Sequence, residues 1–197
     1  FAKVDPLREI FSEFGLIKRR VAVEVAWLIA LSECPEIEEV PLLSSEATAQ
    51  LSGIASNFGA EQATRVKSIE ATTNHDVKAV EYFLKEAVEE SAELSRISEF
   101  IHFGCTSEDI NNLSHALMLR DGHIVISQHF ADVTKDLSDL SVLHAGQPML
   151  SRTHGQSATP TTLGKELANV VARLKRQFKV AEAVRPLGKM NGAVGNY

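Results

Sequence analysis

Three short polar stretches interrupt otherwise helix-like sequence. They are Asn74-His75-Asp76 in "EATTNHDVKAVEYF", Thr106-Ser107 in "FIHFGCTSEDINNLSHAL", and the block around His154 in "LSRTHGQSATPTTLGKE". Thr73-x-x-Asp76 and Thr106-x-x-Asp109 have the spacing of capping boxes, so both predict a helix start. A helix start presents free N–H groups and the positive end of a dipole, which suits an anion. Thr106 and Ser107 add hydroxyl donors. His75 and His154 carry a side chain that can give or take a proton near neutral pH. Each block alone has a plainer reading: a capping box often only caps, and a loop histidine often only steadies a turn. Together they suggest a site that holds an anion and moves protons. Cys105 reads as a small buried residue rather than a nucleophile, since no resolving cysteine or metal-ligand spacing supports it. His102, His115, His123, His129 and His144 form no HxxxH or HExxH pair, and no metal site is expected.

The segments that must place these residues read as helices. Asp5 as N-cap and Pro6 in the first turn open one that continues to before Pro35, with Leu7, Ile10, Phe14, Ile17, Val21, Val25 and Leu28 at helical spacing. Ser44 or Ser45 opens a second, with Gly59 as its stop. Short helices are predicted over Ala60 to Glu70, Asp76 to Glu90 and 93–102. From 108 to 143 no proline intervenes, which predicts a helix of about 54 Å, with Gly122 as a place to bend. Helices of that length belong to bundles. "QPMLSRTHGQSA" reads as a loop, and Thr159-Pro160 as the start of the next helix. On that helix Arg173, Lys175 and Arg176 form a solvated outer face. No strand is expected, and a strand pair longer than a few residues within 107–183 would sink the bundle reading. The fold class expected is all-α: a small helical domain over 1–106, then long bundle helices over 107–197.

The bulk numbers narrow the function classes. The 197 residues, 44% hydrophobic and 23% charged, have an ordinary globular composition with room for a sizeable core or two small domains. A net charge of −6 argues against a non-specific nucleic-acid binder. Cys34 and Cys105 suit free thiols in a reducing compartment. "VAVEVAWLIAL" is too short to span a membrane and is broken by Glu24. No signal peptide is visible, so a cytoplasmic location is expected.

"TTNHDVKAVEYFLKE", "SEFIHFGCTSEDINNLSHALML", "LSRTHGQSATPTTLGKE" and "GKMNGAVGNY" together resemble the adenylosuccinate lyase family, in its bacterial form, within the fumarase/aspartase superfamily. The resemblance runs over essentially the whole chain. It implies a bundle of the fumarase/aspartase type. It departs at Ser157, where the family usually has proline, and at Phe1, where an Arg-Tyr phosphate contact is expected. The family's serine-rich loop, which carries the catalytic base, does not occur in these residues. The chain therefore resembles an N-terminal portion, expected to be inactive by itself.

The resemblance implies a β-elimination that releases fumarate, from adenylosuccinate to give AMP and from the succinylated aminoimidazole carboxamide ribotide of purine synthesis. His154 matches the catalytic histidine, the acid at the leaving nitrogen. Thr106 and Ser107 match residues that bind the substrate, and Asn74, His75 and Asp76 match a second binding block. The implied partner is a small nucleotide substrate, with no metal or organic cofactor. The implied assembly is a homotetramer whose sites are shared between subunits. Argininosuccinate lyase or a fumarase is the rival within the superfamily; the "TTNHDVKAVEYFLKE" block favours the adenylosuccinate branch. A non-catalytic helical homologue is the rival outside it, and intact His75, Thr106, Ser107 and His154 speak against that.

Overall fold

The computed structural model describes residues 4–196. Phe1, and with it the expected Arg-Tyr position, lies outside them. Among the described residues there are eight α-helices and one two-stranded sheet, so the chain is all-α in class. The helices are α1 (Asp5–Phe11), α2 (Glu13–Ser32), α3 (Ser45–Ser56), α4 (Ala60–Thr73), α5 (Asp76–Val88), α6 (Ala92–Ser95), α7 (Ser107–Leu143) and α8 (Leu163–Glu182). A 3₁₀ turn at Ser98–Phe100 follows α6, and strands β1 (Pro148–Thr153) and β2 (Gln156–Thr162) lie between α7 and α8. The chain divides into two compact units: residues up to Gly122 together with Pro186 onward, and His123–Arg185.

The first unit is built around α2. Its Val21 and Leu28 are fully buried with Leu51 of α3, Val66 of α4, and Val80 and Leu84 of α5. Phe58 stacks on Phe14 and meets Phe83 edge-on, with centroids 6.1 and 5.7 Å apart. Burial of this kind contributes about 1.5–3 kcal/mol for each large apolar side chain, before entropy is counted. The first predicted helix is two. Ser12 ends α1 and caps α2 by accepting the Gly15 N–H at 3.2 Å. A side chain at Gly15 would lie 2.3 Å from the Ile10 carbonyl oxygen, so only glycine lets the two helices meet this closely. Asp5 is the first residue of α1 rather than its cap. Gly59 is the N-cap of α4 rather than the stop of α3, which ends at Ser56. The predicted helix over 93–102 shrinks to α6 and the 3₁₀ turn. α7 runs unbroken through Gly122, whose missing side chain makes room for the Phe11 ring.

The second unit holds the later part of α7, the hairpin and α8. Phe130 and Phe178 stack at 4.6 Å, and Val171 is buried. The hairpin overturns two expectations: the loop reading of "QPMLSRTHGQSA" and the absence of a strand pair within 107–183. Its signal lay in the two residues between Thr153 and Gln156. His154 and Gly155 both take positive φ, 50° and 74°, the geometry of a tight I′ hairpin turn. Three threonines of β2 suit extended backbone. Pro160 pairs with Leu150 in β2, and Thr162 caps α8 in the role expected of Thr159. The hairpin is an excursion pinned at its base. The Leu163 N–H donates to the Gln147 carbonyl at 3.1 Å and the Gly164 N–H to the His144 carbonyl at 3.0 Å. Both flanking helices remain whole, which is why the all-α class stands.

Candidate active site

Asn74 closes α4 in the left-handed conformation, with φ 52°. This turns the chain sharply into α5. Thr73 belongs to the last turn of α4, so the predicted Thr73 capping box does not form. His75 is the N-cap instead: its Nδ1 accepts the Lys78 N–H at 3.2 Å. That leaves the proton of the neutral ring on Nε2, and the ring is exposed. Asp76 opens α5 and accepts from Arg20 Nη2 at 2.5 Å and from the Val77 N–H at 2.9 Å. Partial burial opposes ionisation of Asp76, but the Arg20 charge and these hydrogen bonds hold its carboxyl below the usual range.

Arg20 was not singled out in the sequence. It is buried in α2 and its Nε donates to Asn111 Oδ1 on α7 at 2.8 Å. One guanidinium therefore ties the Asp76 turn to the second turn of α7. Val23, Val77 and Ile110 pack together beneath it. The structure so brings the Asn74–Asp76 block and the start of α7 onto one framework of α2, α5 and α7.

Ser107 is the first residue of α7, and Thr106 precedes it. Asp109 supplies one half of the expected capping box: its Oδ2 accepts the Thr106 N–H at 2.9 Å. Asp109 is buried. Burial pushes its pKa up, but Lys189 and the N–H groups of Thr106 and Asn191 outweigh that and keep it low. The Thr106 and Ser107 hydroxyls are half-buried and make no side-chain hydrogen bond among the described residues. The first N–H groups of α7 have no carbonyl within the helix to bond. Hydroxyls and N–H groups here form a donor-rich turn with the positive end of a long helix behind it.

Cys105, just before this turn, is no nucleophile. Burial, then the negative charges of Glu24 and Asp109, push its thiol up to about 12. His102 donates its Nδ1–H to Oε1 of the buried Glu24 at 2.5 Å, which gives it a structural partner. Among the described residues no cluster of three or more His, Cys, Asp or Glu side chains could hold a metal. No helix among them is long and apolar enough to cross a membrane.

His154 lies in the second unit, at the tip of the hairpin. It is exposed, and its ring makes no hydrogen bond among the described residues. A tip position offers a side chain to whatever approaches from outside the hairpin. A groove of about 580 Å³ lined by Arg65, Ser68, Thr73, Tyr82, Lys85 and Glu86 is not where this chemistry collects: its two cations are already paired with carboxylates.

Comparison with known proteins places the chain in a family. A sequence-family model described as Lyase matches residues 1–197. The chain is 59% identical over 196 residues to an adenylosuccinate lyase of Haemophilus influenzae, and 56% identical over 196 residues to that of Escherichia coli K12. In each case 99% of this chain is covered, and it spans only 43% of the relative's length. Among solved structures, a fumarate lyase from Mesorhizobium sp. BNC1 superposes with a TM-score of 0.76 at 28% identity, over 96% of this chain and 42% of that one. A 3-carboxy-cis,cis-muconate lactonizing enzyme from Pseudomonas putida gives 0.72 at 26% identity, with the same coverage. Matched along its whole length by the family's sequence pattern and sharing its helical fold with solved relatives, the chain belongs to the lyase family.

Proposed function

We propose that the full-length protein carrying this sequence is an adenylosuccinate lyase that eliminates fumarate from adenylosuccinate to give AMP, and from the succinylated aminoimidazole carboxamide ribotide. The observation that carries this is the 59% identity to an adenylosuccinate lyase along 99% of the chain. The reaction removes a proton from the carbon beside a succinyl carboxylate. The electron pair moves onto that carboxylate, then forms the double bond of fumarate as the C–N bond breaks. The departing nitrogen takes the bond's electrons and a proton. Charge that develops on a carboxylate is best met by donors fixed in place beforehand. The Thr106–Ser107 turn offers hydroxyls and helix N–H groups for that role. His154 is the acid for the leaving nitrogen. Asn74, His75 and Asp76 hold the nucleotide part, with the Nε2–H of His75 as an outward donor. The base belongs to a serine-bearing loop that resemblance assigns to the family and these 197 residues do not contain. The reading includes a cytoplasmic homotetramer with sites shared between subunits. Apolar side chains exposed on α7 and α8 support it.

The test is turnover of adenylosuccinate by the purified full-length protein, followed by absorbance. His154→Ala should lower kcat by roughly 10²- to 10⁴-fold, the range of a general acid, with a smaller effect on substrate affinity. Ser107→Ala should raise KM at least as visibly as it lowers kcat. Near-normal kcat in a stably folded His154→Ala protein would remove the acid assignment. Turnover of argininosuccinate instead would move the protein to another branch of the superfamily.

A further inference from the structure

The segment "GKMNGAVGN" folds back onto the first two turns of α7. Lys189 Nζ donates to Asp109 Oδ1 at 2.8 Å and to the Gly192 carbonyl at 2.7 Å. The Asn191 N–H reaches the same Asp109 oxygen at 3.0 Å. Asn112 grips the backbone of Lys189 from both sides: its Oδ1 accepts the Lys189 N–H at 2.7 Å, and its Nδ2 donates to the Lys189 carbonyl at 3.1 Å. The other Asp109 oxygen holds the Thr106 N–H. The Asp109 side chain is wholly buried, so its charge needs a partner, and Lys189 is that partner.

A cap alone would not need this. A surface capping box satisfies its carboxylate with water and backbone. Here the carboxylate is out of water and is shared between the turn at 106–107 and a segment about 80 residues later in the sequence. The position of the turn thus depends on Lys189. The geometry points to Lys189 as a positioning residue for the lyase reaction, one that fixes the Thr106–Ser107 turn through Asp109 so that its donors meet a substrate carboxylate. This rests on the function proposed above and adds a residue to it.

The experiment uses the full-length protein with adenylosuccinate, and measures KM, kcat and melting temperature for Lys189→Met, Lys189→Arg and the double variant Asp109→Asn/Lys189→Met. Misplacing binding groups by a fraction of an ångström is expected to raise KM of Lys189→Met roughly 10- to 100-fold, with kcat falling less. Lys189→Arg should recover most of the affinity, because a cation again reaches Asp109. The double variant leaves no unpaired buried charge and so decides the matter should Lys189→Met fail to fold. Its KM should stay raised, since a neutral amide holds the Thr106 N–H less firmly than a carboxylate. Wild-type KM in either Met-bearing variant overturns the inference. So does a parallel loss of stability, kcat and affinity that arginine does not rescue, which is the pattern of a plain structural role. A wild-type protein with no turnover of adenylosuccinate overturns the proposed function itself, and the inference falls with it.

Discussion

His75 accepts the Lys78 N–H through Nδ1, and that bond decides where the ring's proton sits. With Nδ1 engaged as the acceptor that caps α5, the ring turns its Nε2 side outward. Asp76 beside it depends on Arg20 in a similar way. Arg20→Met would leave the carboxylate and Asn111 without their shared donor. Asp76 is about half exposed, so water takes over part of the loss. A cost of about 1–2 kcal/mol is expected, at the low end for bonds to charged groups. Thermal melts of wild type and Arg20→Met check this; an unchanged melting temperature would show that the tie carries no stability. Cys105 gives a second residue-scale test. With its thiol at about 12, roughly 10⁻⁵ of it is thiolate at neutral pH. Alkylation by iodoacetamide at pH 7.5, read by mass spectrometry, should be slow at this position, and rapid labelling would contradict the burial argument. The polar blocks were legible in the sequence because residue type and spacing announce them. Arg20 and Lys189 were not, because each acts on a partner 56 and 80 residues away.

At the scale of elements, the turn between the 3₁₀ segment and α7 rests on His102 and Glu24. His102 takes a left-handed backbone, φ 66°, and its ring meets a carboxylate buried in α2. The Glu24 hydrogen bond raises the His102 pKa, burial opposes it, and the charges of Glu24 and Glu81 add to the rise against Lys78. The sign follows from linkage. A histidine whose pKa is raised on folding adds stability that is fully present below its unfolded value of about 6.5. That stability is lost as pH rises through the folded value. Melting temperature should therefore decline on raising pH above about 6.5, and His102→Asn, which tolerates the left-handed backbone, should flatten the decline. The same slope in the variant would exclude His102 as its source. The hairpin supplies the other lesson. Helix periods are legible from apolar spacing, but the run at 147–158 reads as loop because His-Gly is a less familiar I′ turn than Asn-Gly. Gly164 shows how the hairpin base is packed. A side chain there would lie 2.2 Å from the Ser141 carbonyl oxygen and 2.6 Å from the Ala145 backbone. Neither neighbour is a flexible side chain. Gly164→Ala is expected to destabilise the second unit by about 1–3 kcal/mol or more, measured by hydrogen exchange on α8. Unaltered protection there would mean that the base of the hairpin yields.

For the whole molecule, the two units differ in how well they satisfy themselves. The first buries a continuous apolar cluster drawn from five helices and ties its surface with ion pairs such as Arg65–Glu86 and Lys67–Glu13. The second leaves Ile124, Val133, Val142, Leu143, Val170 and Val180 exposed. Its buried Thr134 has a hydroxyl with no partner among the described residues. A segment that exposes so many large apolar groups on long helices is built to be covered by other helices. In a polypeptide limited to the 197 residues, further copies are the available cover. Such a polypeptide is expected to elute above the mass of a monomer and to show no lyase turnover, since the serine-bearing loop proposed to supply the base is not among these residues. Light scattering after size exclusion checks the first point, and absorbance at saturating adenylosuccinate the second. Charged substitutions at Val133 and Val180 should shift the chain toward monomer without disturbing the first unit, because neither residue belongs to its core. A monodisperse monomer with wild-type residues would show that these faces are stable in water, and would remove the support they give to an oligomeric enzyme.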